Sequence, residues 1–142
     1  MGNRAVISFK DEYINKEDSP SIYLHWNGGR DSVEAFLKAA KIIGIREDSS
    51  YCCARVAQMI GNWMGGILSV GVGTYSTLDA DNFNNGVYWV ENFEIIDREF
   101  FTGKEQQKHD QDNLVREILL ANQKPFDLSD ELINNFNKEE VL

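Results

Sequence analysis

Apolar positions along the chain switch between two periods, and the switches mark out the elements. Residues 4–10 (RAVISFK) are rich in β-branched and aromatic side chains and predict a strand. Residues 11–20 are polar and end in Ser19-Pro20, a loop. Residues 21–26 then alternate, with Ile22, Leu24 and Trp26 on one face and Tyr23 and His25 on the other. Alternation of this kind marks a half-buried strand, so the first two strands are expected to form an antiparallel hairpin. After Asn27-Gly28-Gly29-Arg30, the residues Val33, Phe36, Leu37 and Ala40 recur at i, i+3, i+4 and i+7, the apolar face of a helix. Asp31 and Glu34 have the spacing of a capping box, Ser32 is an alternative cap, and Gly44 is placed to end the helix.

The pattern continues with a second helix over residues 51–64, carrying Cys52, Val56, Met59, Ile60 and Trp63 at helical spacing. Asp48, Ser49 and Ser50 offer N-caps for it, and Gly65-Gly66 terminates it. Residues 67–76 (ILSVGVGTYS) predict a strand with Leu68, Val70 and Val72 on one face and Ser69, Gly71 and Gly73 on the other. A polar loop follows and ends in Asn84-Asn85-Gly86, turn chemistry that predicts a hairpin. Residues 87–90 and 94–100 predict strands, broken or bulged at Asn92. Residues 104–123 are expected to be helical, with Leu114, Val115, Ile118 and Leu119 as the apolar stripe. The first half of that segment (KEQQKHDQD) has nothing to bury, which leaves it solvated, in a homodimer contact or held by another partner. Ser129 is placed to cap a last helix over residues 130–140 with Leu132, Ile133 and Phe136 inward. The order ββαα-βββ-αα predicts one α+β domain, a mainly antiparallel sheet of five strands with helices on one face. Residues 1–103 would form the core, and residues 104–142 a helical extension packed on it or projecting from it.

Composition narrows the function classes. The 142 residues carry 23 acidic against 14 basic side chains, a net charge of −9. That balance opposes general nucleic-acid binding, which needs a positive field to release counterions. It favours solubility, a basic protein partner or mimicry of a polyanion. No apolar run approaches the roughly 18–20 residues that span a bilayer, and no signal-type segment precedes the first strand, so no membrane association and a cytoplasmic location are expected. Gly2 meets the first requirement for myristoylation, but Val6 stands where Ser or Thr is needed. Cys52 and Cys53 are adjacent on a helix, a poor geometry for a mutual disulfide, and read as buried thiols in a reducing compartment.

Four places can carry chemistry. The turn His25-Trp26-Asn27-Gly28-Gly29-Arg30 opens a helix, so converging backbone N–H groups and the Arg30 guanidinium could hold a phosphate or carboxylate, though the ending of a P-loop is missing; a plain strand-to-helix turn is the alternative. His25 could act as a general base, alone or with Asp79 or Asp81, yet no nucleophile accompanies it. Asp79-Ala80-Asp81-Asn82 resembles the opening of a calcium loop, but Phe83, Asn84 and Val90 occupy positions that need a ligand, glycine and glutamate. Asp79, Asp81 and Asn82 therefore read as a polar loop open to partner contact. The Ser69, Gly71, Gly73 face needs a close neighbour, whether a packed helix or a ligand, and would line a pocket if it lay beside Gly28-Gly29. Neither a catalytic set nor a metal cluster nor a cofactor motif is legible.

The blocks GNRAVI (residues 2–7), YLHWNGGRDSVEAFL (residues 23–37) and SVGVGT (residues 69–74) resemble a family of small uncharacterised proteins encoded by phages and prophages of Gram-positive bacteria. The resemblance covers roughly the first 100 residues, leaves out the polar helix and tail after Gly103, and transfers no catalytic residue. It implies a setting in the contest between phage and host, where small acidic proteins inhibit restriction or CRISPR nucleases or modify host proteins by surface contact. The expectation is a non-enzymatic accessory protein that binds a host macromolecule, a defence protein among the candidates, through an acidic and aromatic surface. The alternative is a small-ligand protein that holds a nucleotide or other anion between Asn27–Arg30 and the Ser69, Gly71, Gly73 face.

Overall fold

Ala5, Ile7 and Phe9 point to one side of the first strand and Val6 and Ser8 to the other, and both sides are buried, which makes this strand central. A computed structural model describes residues 2–141, with side chains as far as Phe136. Met1, Leu142 and the side chains of residues 137–141, Lys138 and Glu140 among them, lie outside the described residues. The elements in order are β1 (Ala5–Phe9), β2 (Pro20–Leu24), α1 (Arg30–Ile43), α2 (Ser49–Met64), β3 (Val70–Thr74), β4 (Val87–Glu91), β5 (Glu94–Glu99), α3 (Gln111–Asn122) and α4 (Asp130–Val141). They build an α+β fold on one mixed sheet of order β3-β2-β1-β4-β5. β1 and β2 pair antiparallel as expected, with Ile7 opposite Ile22, and β2–β3 and β4–β5 are also antiparallel. The β1–β4 pair is parallel.

That parallel pair overturns the expected hairpin at Asn84-Asn85-Gly86. β3 and β4 are not neighbours, so the chain between them crosses the sheet instead of turning back. Asn84 to Gly86 fasten the start of β1: Asn85 N–H donates to the Arg4 carbonyl, Val6 N–H donates to the Gly86 carbonyl, and Arg4 Nε donates to Asn84 Oδ1 at 2.9 Å. Gly86 is required there, because its φ is +65° and a Cβ would sit 2.0 Å from the Glu99 carbonyl oxygen. The break expected at Asn92 is a tight β4–β5 turn of Asn92 and Phe93, both at positive φ, and the bulge lies at Trp89/Val90 instead.

The helices cover one face. Val33, Phe36, Val56, Met59, Ile60, Leu114, Ile118, Ile133 and Phe136 join Ile7, Ile22, Leu24 and Tyr88 in one core, so the C-terminal helices share the core of the first hundred residues. Asn122 is fully buried on α3 and satisfied: its Nδ2 donates to the Met59 and Ile118 carbonyls and its Oδ1 accepts from Asn62, which ties α3 to α2. Cys52 and Cys53 are free and buried in the same core, and burial pushes their thiols up to about 11 and about 12. The opposite face carries a smaller core of Val6, Val87 and Trp89, covered by Tyr75, Leu78 and Ala80 from the crossing loop.

Capping departs from expectation in α1 and α2. Gly29 and Asp48 stand at the N-cap positions without a side-chain cap bond, so the Asp31–Glu34 box does not form and Ser32 does not cap. Gly44 ends α1 in the left-handed conformation at φ 89°, and Leu132 N–H donates to Ser129 Oγ, as the sequence suggests.

Candidate functional site

The Gly-Gly turn is built by close approach. Gly28 lies so near the start of β1 that a Cβ would meet the Asn3 carbonyl oxygen at 2.6 Å; its N–H donates to that carbonyl, and its own carbonyl accepts from Tyr88 Oη at 2.7 Å. Asn27 reaches the turn at a φ of 55°, a conformation asparagine tolerates. Gly29 is pressed against the Gln106 side chain, where a Cβ would stand 2.7 Å from Gln106 Cδ.

Gln106 belongs to residues 104–110, expected as helix and found as an irregular strap; α3 begins only at Gln111, capped by Asp110 Oδ1 accepting from Asn113 N–H. Asp31 is the anchor of this strap. Its carboxylate is buried and accepts Ser32 N–H through Oδ1 and the N–H groups of Lys108 and His109 through Oδ2, at 2.8 Å each. A carboxylate taking three N–H donors competes directly with helix formation in a segment that has no apolar stripe to bury. The polar half-helix expected to be solvated or held by a partner is thus held by the chain itself.

The strap also engages the candidate anion ligand. Arg30 Nη1 donates to Glu105 Oε2 at 3.1 Å, and Arg98 Nη1 donates to the same oxygen. Arg98 further donates from Nη2 to the Asn85 carbonyl at 2.6 Å and stacks between the rings of Tyr88 and Phe101, 3.8 and 4.1 Å from their centroids. Arg98, Glu105, Tyr88 and Asn85 were not legible as a cluster in the sequence; the only signal was a lone arginine in a strand that otherwise carries acids. Burial pushes the Tyr88 phenol far above its ordinary range.

The other candidate positions scatter. Gly71 and Gly73 pair with Tyr23 and Ser21 and share their sheet face, whereas Gly28 and Gly29 lie on the helix-covered side, so among the described residues the two glycine pairs do not line a common pocket; Ser69 Oγ donates to the Gly65 carbonyl at the end of α2. Gly73 is overlain by Thr77 and Leu78 of the crossing loop, and Gly71 faces Tyr23. Ser69 does meet His25, whose N–H donates to the Ser69 carbonyl. The His25 ring lies edge-on against Trp26 and shares a 2.9 Å hydrogen bond between its Nδ1 and Tyr23 Oη. Asp79 pairs with Arg4 at 4.0 Å, and among the described residues no hydrogen bond joins His25 to Asp79 or Asp81. Asn82 is fully buried and staples its loop from within: it donates to the Asp79, Ala80 and Gly86 carbonyls and accepts from the N–H groups of Asn84 and Gly86.

Two rings near that staple stand in solvent. Phe83 is 86% exposed at a φ of 60°, and Phe100 is 50% exposed at a φ of 55°. With Asp81, Asn84, Phe101 and Thr102 they line an open hollow of about 520 Å³. A second hollow, of about 500 Å³, lies over the smaller core and is edged by Lys16, Trp89 and Glu99. There Glu99 accepts from Trp89 Nε1, Tyr75 Oη and Lys16 Nζ, and Lys16 stands 5.2 Å from the centroid of the Tyr75 ring. Among the described residues no group of three or more His, Cys, Asp or Glu side chains is arranged to hold a metal, and no helix is long and apolar enough to cross a membrane. Compared with protein-family models, with curated proteins and with solved structures, the chain matches none.

Proposed function

We propose that this protein is a non-enzymatic binding protein whose contact surface is the aromatic and acidic loop around Phe83. The observation that carries the reading is Phe83 itself. An L-residue in the left-handed region costs about 1–2 kcal/mol, and this ring, almost wholly exposed, recovers none of that by packing. Backbone strain of this kind clusters at active sites, ligand clamps and switch regions, and here it holds an aromatic ring out in solvent. Phe83, Phe100 and Asp81 line one hollow, and aromatic rings beside a carboxylate suit an arginine or lysine side chain of a partner. The net charge of −9 steers a basic partner toward that surface. Asp79 and Asp81 belong to the contact, while Asn82 shapes the loop. The resemblance to phage and prophage proteins supports a host macromolecule, in the bacterial cytoplasm, as the partner, with a defence protein as the first candidate. The small-ligand alternative has an added requirement, since an anion at Arg30 must displace Glu105.

Immobilised protein is tested against bacterial host lysate, with the variants Phe83→Ser and Asp81→Lys alongside. The expected result is one saturable partner that both variants lose while their melting temperatures stay close to the parent. A partner retained equally by both variants, or none captured at all, overturns the proposal.

A further inference from the structure

β3 is an edge strand of unusual character. In the β2–β3 ladder His25 N–H donates to the Ser69 carbonyl and Tyr75 N–H donates to the Ser19 carbonyl. Alternation along an antiparallel pair therefore turns the N–H and C=O groups of Ser69, Gly71, Gly73 and Tyr75 inward, and those of Val70, Val72 and Thr74 toward the open edge. Thr74 is closed off within the chain: its N–H donates to Thr77 Oγ1, and its carbonyl accepts from the N–H groups of Thr77 and Leu78. Val70 and Val72 are left presenting donors and acceptors outward.

Edge strands are ordinarily guarded by charges, proline or bulges. The other edge, β5, carries Glu94, Asp97, Arg98 and Glu99. β3 carries no such guard, and no charged residue occurs from Val56 to Leu78 in a chain whose net charge is −9. Beside the strand, large apolar side chains stand in water: Ile67 is 94% exposed, Leu68 81%, Val72 62% and Trp26 44%. Trp26, Met64, Ile67 and Leu68 line one shallow hollow at the start of the strand.

We propose that β3 pairs edge to edge with β3 of a second copy of this chain, antiparallel and centred on Gly71. In that register Val70 and Val72 of one copy exchange both of their N–H···O bonds with Val72 and Val70 of the other, so the groups left open are the ones that become paired. Gly71 faces Gly71 at the two-fold axis, in the close non-hydrogen-bonded position that a residue without a side chain suits. The charge pattern selects this occupant. A basic partner finds no acid on this edge, whereas two strongly acidic copies can approach along it without setting like charges against each other. Glu17, whose carbonyl holds Ser76 N–H, lies past the end of the strand, and the two-fold places its mate at the far end. The sheet then runs through ten strands, and Ile67 and Leu68 of each copy lie near Thr74 and Tyr75 of the other.

Sedimentation equilibrium of the full chain over a wide concentration range tests this, with Val72→Lys and Ile67→Asp as variants at exposed positions. The expected result is a reversible dimer whose dissociation constant rises about tenfold or more in each variant, with circular dichroism unchanged. Val72→Lys sets each new charge against Val70 of the other copy and brings two like charges diagonally across the two-fold axis, and Ile67→Asp leaves the strand itself intact, so a folding defect in one does not mask the other. A chain that stays monomeric to its solubility limit, or a dimer that both variants leave intact, overturns the proposal.

Discussion

At the scale of the residue, five phenylalanine and asparagine positions hold a positive φ for different reasons, Asn27 in the Gly-Gly turn among them. Asn92 and Phe93 form a two-residue turn whose twist suits the β4–β5 hairpin; asparagine tolerates the conformation, and Phe93 offsets it by packing against the main core. Phe83 and Phe100 have no comparable burial. Phe83→Asn should therefore raise the unfolding free energy by about 1 kcal/mol, because asparagine enters the left-handed region with little penalty and almost no packing is lost. Urea denaturation reads this directly. A loss of stability instead would mean that the exposed ring packs in solution and that the strain argument fails. The buried thiols belong to this scale as well: with Cys52 and Cys53 pushed well above neutral pH by burial, neither is a reactive nucleophile in the folded chain.

At the scale of the element, the strap over residues 104–110 is the informative piece. It is held at three points: Glu105 between Arg30 and Arg98, Gln106 against Gly29 and Asn3, and the Lys108 and His109 amides on Asp31. Asp31 contributes the hydrogen bonds of a buried carboxylate to backbone donors, so Asp31→Ala should cost about 3 kcal/mol. Hydrogen exchange should show the amides of Lys108 and His109 losing protection well before those of α1. Equal loss across the strap and α1 would mean the strap has no separate anchor. The element also explains why both turn glycines are there: one lets β1 approach, the other lets the strap approach, and neither role depends on a bound anion.

At the scale of the whole molecule, the sheet has two differently built faces, and they respond differently to pH. The helix-covered face is a conventional apolar core, whereas the opposite face is closed by a crossing loop and an ionic cluster around Glu99. Burial pushes the Glu99 carboxyl up, but hydrogen bonds from Trp89, Lys16 and Tyr75 outweigh it and hold the pKa below the ordinary value of 4.5. A carboxyl depressed in the folded state stabilises the fold above its unfolded pKa, and the contribution disappears as pH falls through the folded value. The denaturation midpoint should thus drop as pH falls below about 4.5, and Glu99→Gln should be less stable at neutral pH with a flatter acid limb. Parallel acid limbs in parent and variant would remove Glu99 from that role. The two proposed surfaces divide the molecule in a similar way, with the acidic aromatic loop available to a basic partner and the uncharged β3 edge to a second copy.

Local pattern was enough for the types of the five strands and four helices that form, the β1–β2 pairing, the helix end at Gly44, the Ser129 cap and the buried cysteines, because each depends on side-chain period or on a residue's own conformational preference. The same local reading mistook Asn84-Asn85-Gly86 for a hairpin turn and residues 104–110 for helix. In both segments the deciding partner is far away in the chain: the Arg4 carbonyl and Val6 N–H of β1 in one case, the Asp31 carboxylate in the other. Turn chemistry and helix propensity are worth about 1 kcal/mol per residue, and long-range hydrogen bonds to a buried carboxylate or to a central strand exceed that. The parallel β1–β4 pair, the Arg98–Glu105 cluster and the open edge of β3 have no counterpart in local spacing. They exist because strand order, which no short window of sequence encodes, decides which backbone groups and which charges finally meet.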